Sequence, residues 1–352
     1  MPLRQRQTIL TPDPVPLLVA DGDIPTTRLL ARELREGLGT VEVRIAKDLF
    51  GAEFGGRPVI VSRLCYPRFS WLPGYLSRRR LRYAYFLDDN FWEITHQTGF
   101  DLANFFQHPA TVETLDAFVR DASVVICWSP RLREYVAARH PDAITEFVRP
   151  GFDVATATRL LERRDAQPAE PRGGVRIGYP TTPRPRVAPL LVPVVRHFLE
   201  RYGDEVIFEF IGWMPEGLSE LPNVVLHPWI AEYDAFLEFK LGRRWDVGIA
   251  PLIGDPFDQF KTDNKYREYA GCGIAGVYSR VSPFVETVRH GVTGLLVEND
   301  PSEWIAALEQ MVRSPELRAS IAAAASDDVR RNYDLRVTGR RLAEVVQRYG
   351  SP

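Results

Sequence analysis

In the stretch FDQFKTDNKYREYAGCGIAGVYS (257–279), two ammonium groups and a carboxylate share one short helical span: Lys261, Lys265 and Glu268. Segment 262–271 reads as a helix with Thr262 or Asp263 at its N-cap, entered just after an apolar strand at 245–251. A helix that starts beyond a strand's carboxyl end offers free amides and the positive end of its dipole to an anion. Lys261 precedes that end and Lys265 lies one turn in. Glu268 follows three residues later on the same face. A carboxylate there can accept two hydrogen bonds from a vicinal diol, which is how a ribose is held. Together these groups describe a site for a nucleoside diphosphate. The plainer reading is a solvated helix with a weak Lys–Glu pair, and spacing alone does not separate the two.

Other residues of the second half belong to the same chemistry. Ser282 and Pro283 open a short helix whose first amides, near Phe284 and Val285, face the same side, with Glu286 in its first turn. The turn after strand 175–179 carries Thr181, Thr182, Arg184 and Arg186, hydroxyls and guanidinium groups suited to phosphate oxygens. His227 and Trp229 end another strand and can flank a base, although a Trp is more often packing. In the first half, Asp88, Asp89 and Asn90 follow strand 83–87. A carboxylate at that edge can act as general base on an acceptor alcohol, hydrogen-bond an acceptor sugar, or cap the next turn. Asp21 and Asp23 occupy a similar edge, and Arg63 is a candidate for an anionic acceptor. Paired carboxylates invite a metal, but lysines and helix ends are available for a departing diphosphate. No metal and no cofactor beyond a nucleotide-sugar co-substrate is expected.

The elements that position these groups are short Val- and Ile-rich runs alternating with helical patterns, which implies α/β architecture with parallel sheets. Strands are expected at 15–20, 41–46, 58–62, 83–87 and 124–129, with helices at Thr26–Leu38 and Pro130–Arg139. ERRDAQPAEPRGG (162–174) has a linker's composition. The pattern then restarts, with strands at 175–179, 206–212, 223–227, 245–251 and 274–279. The expected division is a first domain over 1–161, a linker over 162–174, a second domain over 175–330, and a C-terminal helix over 331–352 crossing back to the first domain. Two doubly wound, Rossmann-like domains facing a cleft place ligands at the strands' carboxyl ends.

Composition narrows the class. The 352 residues are 45% hydrophobic and 26% charged, with a formal net charge of −2, so no field argues for nucleic acid as a partner. Cys65, Cys127 and Cys272 lack ligand spacing and fit a reduced compartment. MPLRQRQTILTPDPVP has no apolar block of a signal peptide, and no apolar run is long enough for a membrane span, so a cytoplasmic protein is expected. WLPGYLSRRRLRY (71–83) interleaves aromatic and basic residues. It is either a solvated basic helix or a peripheral contact with an anionic membrane bearing a lipid-linked acceptor.

The segment from Phe257 to Trp304 resembles the C-terminal domain of GT-B glycosyltransferases of the broad group 1 (GT4-like) kind. The positions that match are Phe257, Lys261, Lys265, Glu268, Tyr269, Glu286, Gly291, Gly294, Leu295, Leu296 and Val297. FVRPGFDV (147–154), with Gly151 and Asp153, is similar to the family's segment before the interdomain linker. YAYFLDDNFWEI (83–94) resembles an acidic element of bacterial polysaccharide members. The resemblance implies a GT-B architecture, lysines on the donor pyrophosphate and Glu268 on its ribose. It also implies transfer of a sugar from a nucleotide donor to a hydroxyl of a saccharide or glycoconjugate. Two places depart from the pattern: Phe260 stands where many members carry a second Glu, and Thr181-Thr182-Pro183-Arg184-Pro185 replaces a Gly-Thr turn. Asp258, Asp263 or Glu286 then remain as carboxylates for the donor sugar. A sugar-nucleotide epimerase, working through histidines such as His227 or His290, and a non-catalytic nucleotide-sugar-binding subunit are the alternatives.

Overall fold

The β-branched runs fold as two six-stranded parallel sheets. In the computed structural model, which describes residues 14–49, 54–94, 100–166 and 173–350, the first sheet contains β1 (Leu17–Ala20), β2 (Glu42–Ile45), β3 (Val59–Ser62), β4 (Tyr83–Leu87), β5 (Val124–Cys127) and β6 (Thr145–Phe147), in the order β2-β1-β3-β4-β5-β6. The second contains β7 (Val175–Pro180), β8 (Val206–Ile211), β9 (Val224–His227), β10 (Val247–Ala250), β11 (Ala275–Ser279) and β12 (Leu295–Val297), in the order β12-β11-β10-β7-β8-β9. The N-terminal residues 1–13 and the middle of the expected linker, 167–172, lie outside the described residues. Strand β6 escaped the sequence reading because its three half-buried residues make no apolar run.

Parallel strands need crossovers, and thirteen helices among the described residues supply them or cap the sheets. They are α1 (Pro25–Leu38), α2 (Trp71–Arg78), α3 (Phe100–Phe106), α4 (Pro109–Asp121), α5 (Pro130–Arg139), α6 (Val154–Asp165), α7 (Ala188–Tyr202), α8 (Tyr233–Gly242), α9 (Asn264–Gly271), α10 (Phe284–Thr287), α11 (Pro301–Arg313), α12 (Pro315–Asn332) and α13 (Leu335–Gly350). Strand order reverses beside β1 in one sheet and beside β7 in the other, and a crevice forms at such switch points. The loops after β1, β3 and β4 therefore converge with those after β7 and β10. None of the described helices is long and apolar enough to cross a membrane.

The cores divide the chain earlier than composition implies. Helix α6 runs through Asp165, so the first residues of the expected linker are helical, and its Ala157, Leu160 and Leu161 pack into a cluster of the second domain with Phe152, Leu237 and Tyr269. In exchange α13 lies on the first domain, where Leu342, Val345 and Val346 join Leu18, Leu30 and Phe86. The two crossings touch: the Phe152 amide donates to the Tyr333 carbonyl at 2.6 Å, and the Leu335 amide to that of Phe152 at 3.3 Å. Glu33 of α1 closes the joint, accepting from the Gly151 amide and the Thr338 hydroxyl, each at 2.6 Å. Burial pushes its carboxyl up to about 7 against those bonds.

Helices α1 and α13 approach so closely that side chains are excluded where they cross. A Cβ at Gly37 would lie 2.0 Å from the Gly339 carbonyl oxygen. Replacing Gly37 by Ala normally gains about 1 kcal/mol of helix propensity, but backbone cannot give way as a flexible side chain can. Gly37→Ala is expected to destabilise the protein by about 3 kcal/mol. A urea midpoint unchanged or raised in that variant would show that the helices separate freely.

Candidate active site

The loop after β10 leads into α9, whose N-cap residue is Asp263. Its side chain makes no cap hydrogen bond. The carboxylate instead accepts from Tyr333 at 2.6 Å, Thr287 at 3.1 Å and Arg267 at 3.2 Å. The first amides of α9 are thus left for another acceptor. Glu268, one turn further, is 8% exposed, and its Oε2 is buried without a hydrogen-bond partner. Burial by itself would raise its pKa, but Lys240, Lys265 and Arg267 outweigh that and hold the carboxyl below its usual value. Lys240 Nζ lies 3.6 Å from Oε2. Lys265 pays for its own burial: desolvation lowers it to about 8, with Glu268 pulling the other way.

Lys265, Arg267 and Glu268 face a cavity of about 320 Å³ between the domains, while Lys240 supports Glu268 from behind. The second domain lines it with Tyr179, Thr181, Thr182, Arg184, Trp229, Lys261, Lys265, Arg267, Glu268 and Phe284, and the first with Thr26, Leu29, Asp88, Asp89 and Trp128. A larger cavity of about 440 Å³ lies behind α9, between α6, α8 and α12. Chemistry rather than size selects the first, because only it joins carboxylates of one domain to the lysines of the other.

The two acids after β4 differ. Asp88 accepts from Thr26 Oγ1 at 2.8 Å, and both of its carboxylate oxygens accept from one Arg63 guanidinium nitrogen. Arg63 also reaches Asp21 at 3.4 Å and lies 4.8 Å over the Phe91 ring. Asp89 looks across the cleft, with Lys261 Nζ 3.5 Å away. Burial raises the Asp89 carboxyl above its usual value despite Lys261. Lys261 is further braced over the Phe257 ring at 3.9 Å.

Several expected ligands are engaged elsewhere. His227 binds the buried Glu209 at 3.2 Å, in a cluster with Arg176, Arg243 and Trp245, so it does not flank a base. Asn90 is buried and accepts from the Trp92 amide, a turn cap. Arg186 reaches Asp255 at 2.6 Å outside the cavity. Asp258 takes Arg184 at 3.3 Å from below. Glu286 pairs with Arg131 of the first domain at 2.7 Å, and Val285 is exposed. Asp21 and Arg63 serve Asp88 from behind, while Asp23 pairs with Arg28 on the surface. Ser282 does not cap α10; its hydroxyl donates to the Gln259 carbonyl. Of the two histidines, His290 accepts the Leu296 amide and is likewise outside the cavity. Phe260 packs edge-on against Tyr135 of the first domain at 5.2 Å, so an apolar bridge between domains occupies its place.

Two positively charged residues of the site went unrecognised in the sequence, Lys240 and Arg267. Lys240 is fully buried on α8, and its own neighbours EFKLG carry no motif. A signal did exist: the chain has only four lysines among its 44 basic residues, and three of them gather around Glu268 and the cleft.

Comparison with known proteins agrees with this geometry. Residues 188–314 match the family model described as glycosyl transferases group 1. A D-inositol 3-phosphate glycosyltransferase of Thermobispora bispora is 35% identical over 104 residues, 29% of this chain. The match covers 23% of that relative's length. Among solved structures, HepE of Anabaena in complex with UDP superposes with a TM-score of 0.64 at 14% identity, over 95% of this chain and 100% of that one. Sucrose-phosphate synthase of Thermosynechococcus elongatus gives 0.66 at 13% identity, over 95% and 99%. Residues 188–314 thus match the group 1 glycosyl transferase model, within a chain whose two facing α/β domains have the GT-B fold.

Proposed function

We propose that this protein transfers a sugar from a nucleoside diphosphate donor to a hydroxyl of a saccharide or glycosylated acceptor. The observation that carries the reading is Glu268 Oε2, a buried acceptor without a hydrogen-bond partner, 3.6 Å from Lys240 Nζ and close to Lys265 and an uncapped helix N-terminus. The ribose hydroxyls donate to Glu268. The diphosphate lies over the first amides of α9, between Lys261, Lys265 and Arg184, with Thr181 and Thr182 alongside. Trp229, 55% exposed at the cavity rim, gives the base an apolar face. Solved relatives of this fold hold UDP, UDP-glucose and glucose, which supports a donor of this class.

The acceptor comes from the first domain. Its hydroxyl oxygen bonds to the anomeric carbon as the bond from that carbon to the diphosphate breaks, and the hydroxyl proton leaves toward Asp88 or Asp89. Asp89 is the better placed, because a phosphate arriving at Lys261 replaces it and leaves its carboxylate facing the acceptor. In this reading the two lysines, Arg184 and the helix end carry the charge of the leaving group, and no resident cofactor or metal is assigned a step.

Two predictions follow from the charges. Glu268→Ala should weaken UDP binding by about ten- to a hundred-fold, as expected for removal of a buried acceptor to two hydroxyls, while Asp89→Asn should tighten it slightly and cut turnover. Calorimetry showing unchanged UDP affinity in Glu268→Ala would remove the site. The second concerns pH. Lys265 is charged below about 8 and neutral above, so UDP affinity should hold up to neutral pH and fall as pH rises through 8. Arginine stays charged throughout, and Lys265→Arg should flatten that decline; an identical decline in both proteins would place the titration elsewhere.

A further inference from the structure

Five arginines, Arg68, Arg78, Arg79, Arg80 and Arg82, are exposed on and around α2. No acidic residue occurs in the sequence from Phe54 to Leu87. Many guanidinium groups elsewhere pair with carboxylates, as at Arg28–Asp23 or Arg32–Asp234, although others, such as Arg120 and Arg348, do not among the described residues. None of these five forms an ion pair within the described structure. The overall charge of −2 makes the concentration local.

The helix that carries them is two-sided. Leu72, Pro73 and Leu76 are buried against the first domain's core. Trp71, Tyr75 and Arg79 follow at four-residue intervals and form one row at the edge of that buried face, with Tyr75 half-buried against the core beside Phe54. Trp71 is 47% exposed, and its ring meets that of Tyr75 edge-on at 5.7 Å. Arg79 lies over Tyr75 at 5.0 Å, and Arg68 over Phe69 at 4.9 Å. The Trp71 indole stays about half exposed despite that contact, and its amphipathic ring suits the headgroup level of a bilayer. The stripe runs from the edge where β3 ends to the edge where β4 begins.

We propose that this face docks on an anionic phospholipid surface, with Trp71 entering the headgroup layer and the arginines meeting lipid phosphates and carboxylates. A nucleic acid strand stacking on Trp71 is the competing partner; the small overall charge of −2 favours a flat anionic surface. Docking goes beyond the proposed sugar transfer and does not rest on it.

The test uses the full chain and co-sedimentation with vesicles of phosphatidylcholine containing phosphatidylserine, against phosphatidylcholine alone. Binding is expected to the anionic vesicles only, and to weaken with added salt. Each arginine removed should lower the partition about five-fold, so Arg79→Ser/Arg80→Ser/Arg82→Ser should lose about a hundred-fold. Trp71→Ser should also weaken it. UDP affinity, measured without vesicles, should be the same in all of these proteins, showing that they fold and keeping the donor reading separate. No binding to anionic vesicles, equal binding to neutral ones, or full binding by the triple variant would overturn the proposal. So would arginine-dependent binding to an RNA oligonucleotide in place of vesicles.

Discussion

The chain passes between its domains twice, at Phe152 and at Tyr333–Leu335, and the two passes are hydrogen-bonded side by side. Neither segment can shift without the other, so the facing of the two sheets is fixed by backbone bonds as well as by contacts across the cleft. Phe152 fills the space beside Gly271, where a Cβ would come within 2.1 Å of its ring. Tyr333, in the second pass, donates to Asp263 at the head of α9. The joint between domains and the helix that carries Lys265 and Glu268 are therefore one mechanical unit. Any rotation about the joint moves the ammonium group and the carboxylate together.

Charge in this unit is balanced locally. A buried carboxylate without compensation would neutralise itself, yet Glu268 stays ionised because three cations surround it. Two of those cations are lysines in a chain that otherwise uses arginine almost everywhere. A lysine places one compact charge at the end of a thin stem, while a guanidinium needs a plane of five donors satisfied. Lys240, fully buried on α8, supplies such a compact charge to Glu268 and also donates to its carbonyl at 3.4 Å.

Across the cleft, opposite domains exchange charges. Lys261 meets Asp89, Arg32 meets Asp234 and Arg131 meets Glu286. Arg32–Asp234 and Arg131–Glu286 lie apart from the cavity walls and bind domain to domain, with Phe260 against Tyr135 between them. Lys261–Asp89 lies on the wall itself, where each partner faces a substrate group of opposite character. The same fold thus uses one kind of contact for closure and for chemistry, according to whether the pair faces the cavity.

The sequence by itself determined the alternation of strand and helix, the two-sheet architecture, and the grouping of Lys261, Lys265 and Glu268 on one helix. These follow from residues adjacent or a turn apart, where periodicity alone dictates which face they share. Only the tertiary structure decided which charges are left for a ligand. His227 and Glu286 have the right chemistry in the right half of the chain, but Glu209 and Arg131 reach them from distant elements and claim their polar atoms. Lys240 was invisible for the converse reason, since its partner lies on another helix. The crossing of α13 to the first domain was expected from the sequence, but the packing of α6 on the second domain was not, because a helix's apolar face shows that it is buried but not against which sheet. Local spacing fixes an element and its faces, whereas a side chain's free valence depends on neighbours that only the folded chain brings together.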